Sequence, residues 1–156
     1  MIIDPQSLAV LGGAIALAGG LAGSAIGIAS AASNGVATLA EEPGQLRNVI
    51  LLSSLPMTQT FYGLIMLILI LTTVVDKLPA TGGGGFTVFG CCMIAAAAEL
   101  WSGAYQGHVC ASGISLLPKT KGVILTNSMM LAVFVELIGV LGLVFAIMAL
   151  SILGLM

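Results

Sequence analysis

The chain has 156 residues, of which only 6% are charged, and a net charge of −2. Its mean hydropathy is +1.20. Soluble globular domains carry about a quarter charged residues, so the composition excludes one and describes an integral membrane protein built almost wholly of spans, with no basic patch for nucleic acid.

The N-terminal MIIDPQS lacks the positive region of a signal peptide, so the first apolar segment is read as a retained span. Four apolar segments follow, at residues 8–40, 49–75, 86–117 and 123–155. Each exceeds the roughly 20 residues that cross a bilayer as a helix. The breaks between them, EEPGQLRN (41–48), DKLPATGGGG (76–85) and PKTKG (118–122), are polar or rich in Gly and Pro. The pattern predicts an all-α membrane protein of four transmembrane helices, arranged as two helical hairpins with both termini on one side. Arg47, Lys119 and Lys121 lie in the first and third loops and only Lys77 in the second. The positive-inside rule then puts those two loops in the cytoplasm and both termini outside.

The first segment carries Gly19, Gly23, Gly27, Ala31 and Gly35, and the third Ala95, Gly103, Gly107, Ala111 and Ser115, with Glu99 in the remaining slot. Small residues at every fourth position form a packing seam along one side of a helix. Ordinary helix pairing accounts for such a seam. Its length favours a ring in which many copies of these helices crowd around an axis. Ser24 to Gly35 aligns with Ser102 to Gly113 at a shift of 78, and Gln59 with Glu136 at a shift of 77. The chain therefore reads as a duplicated hairpin, residues 1–78 and 79–156, in which only the second keeps a carboxylate and the first has Gln59 in its place.

That carboxylate, Glu136, stands in the middle of the last apolar segment, where a charge is expensive and needs a partner or a task. In the second segment Leu55, Thr58, Gln59 and Tyr62 fall on one helix face. Pro56 lies inside that span, where its ring and missing N–H predict a kink and loosened carbonyl oxygens. The oxygens available at mid-membrane are the Glu136 carboxylate, the amide oxygens of Gln59 and Gln106, the Thr58 hydroxyl and the Leu55 carbonyl. Hard cations prefer oxygen ligands. A proton needs only the carboxylate and one or two hydrogen bonds, so the surplus of neutral oxygens leans toward Na+. The competing reading is that Thr58, Gln59 and Gln106 cross-link helices.

These residues resemble the rotor-ring proteolipid of V-type and archaeal-type rotary ATPases, in its sodium-binding bacterial version. The resemblance covers the whole chain. The motif LPxTQxxY stands as Leu55-Pro56-Met57-Thr58-Gln59-Thr60-Phe61-Tyr62, the third-helix motif as Ser102-Gly103-Ala104-Tyr105-Gln106-Gly107, and the fourth-helix motif as Val135-Glu136. The resemblance implies that Leu55 (through its carbonyl), Thr58, Gln59, Gln106 and Glu136 hold Na+, or H+, and that Tyr62 hydrogen-bonds the glutamate. It further implies identical subunits in a ring within the lipid bilayer. That ring is turned by ATP hydrolysis elsewhere, meets a stator subunit bearing a basic residue, and seats a central stalk on the cytoplasmic loops. The expected location is the cell membrane, multi-pass, and the chain itself is not an enzyme. Gly82 to Gly85 lacks the Lys-Ser/Thr of a phosphate loop.

Glu99 departs from the family pattern. It lies about 10 Å along the helix from Gln106 on nearly the same face. A structural role is favoured for it, either protonated and idle or bonded to Tyr105 or Thr87, over a place on an ion route. His108 is read as a packing or polar-seam residue. Cys91, Cys92 and Cys110 lack metal spacing and are read as inert. The alternative from another class is a small cation-coupled secondary transporter or channel, which would spread polar residues over all helices.

Overall fold

The computed structural model describes residues 4–156; Met1 to Ile3, the start of the stretch read above as no signal peptide, lie outside the described residues. Helix α1 runs Pro5–Glu41. Asp4 caps it, accepting from the Ser7 backbone N–H at 2.8 Å and the Ser7 hydroxyl at 2.7 Å. Pro5 takes the first position, where no N–H is needed. The Ser7 hydroxyl, and after it the Ser7 N–H, hold the Asp4 carboxyl below the usual carboxylate range.

The second span is one helical run, Pro43–Lys77, in several pieces. A 3₁₀ turn leads into α2 (Leu46–Ser54), and a second 3₁₀ turn, Leu55–Met57, separates it from α3 (Thr58–Leu69). A π-helical turn, Ile70–Val74, and a last 3₁₀ turn close the run. Helix α4 spans Gly84–Thr120 and α5 Leu125–Ile152. All four runs are long and apolar enough to cross a membrane, and no strand occurs among the described residues.

Two of the boundaries that differ from the sequence reading have a clear cause. The first loop shrinks to Glu42, because Pro43 opens a new helical turn at once instead of prolonging a break. Pro118, read as part of the third loop, lies inside α4. A proline there deprives the Ile114 carbonyl of its usual donor. The Thr38 hydroxyl of α1 supplies the replacement, donating to Ile114 O at 3.1 Å in a buried contact. The helix then stops at Lys121 and Gly122, both with positive φ, where the Gly122 N–H reaches back to Leu117 O at 3.0 Å.

Helices α1 and α4 share the most extensive interface; α2 and α3 lie chiefly on α1, and α5 chiefly on α4. The glycine seam explains the central pair. A Cβ on Gly27 would collide with the Gly103 carbonyl oxygen, and one on Gly107 with the Gly27 Cα. The two backbones thus touch along several turns. This revises the argument from seam length: the seam is occupied within one chain, α1 against α4, and does not itself require further copies. Glycines stitch the flanking helices as well. Gly63 of α3 faces the Ala16 carbonyl of α1, and Gly142 of α5 faces the Ala98 Cβ of α4.

The buried apolar residues form two clusters. One gathers Met66, Ile70, Val88, Cys92, Leu143 and Leu150; the other gathers Val49, Leu52, Cys110, Ile114 and Leu117. The polar residues singled out above lie in the layer between them. The three cysteines are buried and unbridged.

Candidate ion-binding site

The site begins at Pro56. With no N–H to donate, it interrupts the α-helical ladder, and the chain tightens into the Leu55–Met57 turn. The Leu55 carbonyl then accepts from the Thr58 N–H and from the Thr58 hydroxyl, the latter at 3.2 Å. That hydroxyl also lies 3.2 Å from Gln59 Oε1.

Gln59 is wholly buried and turns its amide toward α4. Its Nε2 donates to Gln106 Oε1 at 3.0 Å and to Ser102 Oγ at 3.1 Å. Gln106, equally buried, donates from Nε2 to Glu136 Oε2 at 3.2 Å. The other carboxylate oxygen of Glu136 accepts from the Tyr62 hydroxyl at 3.0 Å. One continuous network therefore links Leu55, Thr58 and Gln59 through Gln106 to Glu136, and returns to α3 through Tyr62. Every residue the sequence singled out for the site takes part, with Pro56 as the cause of the break that starts it. Glu136 lies at the edge, half-buried on the single chain, while the amides beside it are sealed.

Sequence reasoning gave Ser102 no role of its own. Its hydroxyl accepts from Gln59 and donates to the Val135 carbonyl at 2.9 Å, tying α3, α4 and α5 together beside the carboxylate. The signal was present: Ser102 precedes Gln106 by four residues and shares its helix face. Its counterpart in the first hairpin, Ser24, accepts from the Thr60 hydroxyl at 2.9 Å and the Thr60 N–H at 3.2 Å. Both serines thus face the outer helix of their own hairpin beside the aligned pair Gln59 and Glu136.

Glu99 behaves otherwise. Neither suggested partner bonds it: Tyr105 is exposed and stacks on Trp101, and the Thr87 hydroxyl bonds its own helix at Gly83 O. His108 meets the Ser30 hydroxyl at 3.2 Å across the α1–α4 seam, as a polar-seam residue would.

No group of three or more His, Cys, Asp or Glu side chains gathers among the described residues, so the charge available at the network is that of one carboxylate. A single carboxylate among neutral oxygens, inside four apolar helices, suits the neutralisation of one small monovalent cation; this is the class of ion-carrying membrane proteolipids. The chain belongs to the ATP synthase C-subunit family, whose model matches residues 11–70 and again residues 89–149. No curated protein sequence matches it. The family makes it a non-catalytic, ion-translocating member of a membrane rotor ring, carrying H+ or Na+.

Proposed function

We propose that the chain forms the rotor ring of a V-type rotary ATPase and that each copy carries one Na+ on Glu136. The observation that carries this reading is the number of neutral oxygens joined to the carboxylate: the Leu55 carbonyl, the Thr58 hydroxyl and the amides of Gln59 and Gln106. A proton needs only the carboxylate and one or two hydrogen bonds, so the surplus of oxygens favours Na+. Na+ is neutralised by one carboxylate and solvated by the rest. For the Gln106 oxygen to reach the ion its amide must turn over, since Nε2 now points at Glu136. Tyr62 donates to Glu136 and orients the carboxylate.

The ring reading follows from the same chemistry. A bare carboxylate facing hydrocarbon is costly, so the half-buried Glu136 must travel neutralised, by Na+ or H+, wherever it meets lipid. It can be bare only beside an opposite charge, so a stator subunit with a basic residue releases the ion. The duplicated hairpins, residues 1–78 and 79–156, supply one carrier per two hairpins, with Gln59 in the silent half. Residues 41–48 and 118–122, holding Arg47, Lys119 and Lys121, face the cytoplasm and seat the central stalk, which leaves both termini outside the cell membrane.

The test is equilibrium sodium binding to purified rings. Gln106→Ala and Thr58→Ala each remove one oxygen ligand, at about 1.5–3 kcal/mol for a bond to a charged group, and should weaken binding about ten- to a hundredfold. Sodium affinity unchanged in both variants would contradict the five-oxygen site.

A further inference from the structure

Glu99 is a carboxyl group with 0% exposure, and neither of its oxygens has a hydrogen-bond partner. It is the one acidic side chain in the membrane-spanning segments besides Glu136; the other acids, Asp4, Glu41, Glu42 and Asp76, sit at the ends of the helical runs. Its surroundings are specific. The carboxyl lies over Gly139 of α5, where an added Cβ would stand 2.9 Å from Glu99 Oε2 and 3.1 Å from Ser102 Oγ. Gly139 follows Glu136 by one turn of the same helix. The two carboxyl groups are thus stacked along the α4–α5 seam. Between them stands Ser102, whose hydroxyl already serves Gln59 and Val135.

A sodium ion does not suit this position. Neither Glu99 oxygen has a hydrogen-bond partner, and the Ser102 hydroxyl beside it over Gly139 is committed elsewhere. Beyond Glu99, away from Gln106, α4 offers the buried apolar residues Ala95, Ala96 and Cys92. The group is sealed and poor in ligands, and a bare charge there has nothing to offset its burial. We propose that Glu99 is a second proton-binding site of the chain, kept neutral over Gly139, and that its proton lets the adjoining Glu136 site hold a single negative charge. The titratable groups on the elements packed against it are Tyr62 of α3 and, one turn from Gly139, Glu136 of α5. Helix α1 brings Gly23 against the Glu99 backbone and adds no charge. Two carboxyl groups this close disfavour simultaneous ionisation, so each controls the cation affinity of the other by the same factor. For two unit charges about 10 Å apart at an effective dielectric constant of about 20, such a factor is about tenfold.

The experiment is infrared spectroscopy of purified rings carrying Glu136→Gln, in which Glu99 is the remaining acid within the spans. The carbonyl stretch of an unionised carboxylic acid should appear at neutral pH without sodium and shift in heavy water. It should vanish when Glu99→Gln is added. Absence of the band in Glu136→Gln rings overturns the proposal, and this arm needs no binding of Na+ at Glu136. Should the double variant not assemble, the heavy-water shift in the single variant decides alone. The second arm uses rings with Glu136 intact, with Na+ or, if sodium does not bind, carbodiimide titration of Glu136 as the readout. As pH rises, loss of the Glu99 proton should add about tenfold to cation affinity at Glu136, and Glu99→Gln should lack that increment. Identical pH profiles in the two rings reduce Glu99 to a packing residue and overturn the coupling.

Discussion

Glu136→Gln abolishes ion transport by the assembled complex while leaving the ring intact. The glutamine keeps the shape of the side chain and can still bond Tyr62 and Gln106, whose bonds to Glu136 measure 3.0 and 3.2 Å. It removes the only charge in the network. Removing one partner of a buried charge pair costs about 3–5 kcal/mol, or roughly three orders of magnitude in cation affinity. Transport measured in reconstituted vesicles should fall to background. ATP hydrolysis in the soluble head should continue only to the extent that it runs uncoupled from rotation. Glu99→Gln, by contrast, replaces one neutral group by another and should leave transport at neutral pH close to that of the natural chain. Equal loss in both variants would mean that the carrier had been assigned to the wrong helix or that both acids carry it.

The second large effect concerns assembly. Gly27→Leu should abolish folding of the helix bundle. A Cβ at Gly27 already collides with the Gly103 carbonyl and stands 2.7 Å from Pro56 Cβ, so an isobutyl group has no direction in which to escape. Overpacking costs about 1–3 kcal/mol in cores that can shift. Here the obstacle is backbone on backbone, and separating α1 from α4 would also draw the Pro56 turn, and with it Thr58 and Gln59, away from Gln106. The yield of detergent-stable rings should drop to near zero. Gly44→Ala is the matched control, because nothing lies within 4 Å of a Cβ there, and it should leave the yield unchanged.

The spans were legible because hydropathy and the polar breaks act locally, and the Leu55 to Tyr62 face was legible because helical spacing places it. Other features depended on distant partners. Pro118 looks like a helix breaker until Thr38, 76 residues away from Ile114, is seen to serve the carbonyl that the proline orphans. The glycine rows announce a seam, but only the fold shows that one row closes on the other within the same chain. Ser102 was visible as part of a motif, yet its position between Gln59 and Val135 depends on two other helices. That Glu99 lacks any partner is a property of its neighbours in space, and no spacing along α4 could express it. The π-helical turn at Ile70–Val74 had no sequence signal that we can name.

The most direct measurement of the central claim is labelling of Glu136 in purified rings by a hydrophobic carbodiimide, which attacks the protonated acid, with and without sodium at constant pH. A sodium-loaded Glu136 is deprotonated and should be protected, and Gln106→Ala should weaken that protection about ten- to a hundredfold, in step with the lost ligand. Labelling that follows pH and ignores sodium would make Glu136 a proton carrier, with Thr58, Gln59 and Gln106 serving only as hydrogen-bond partners. Labelling at Glu99 in preference to Glu136 would contradict both the assignment of the carrier and the sealing of the second acid.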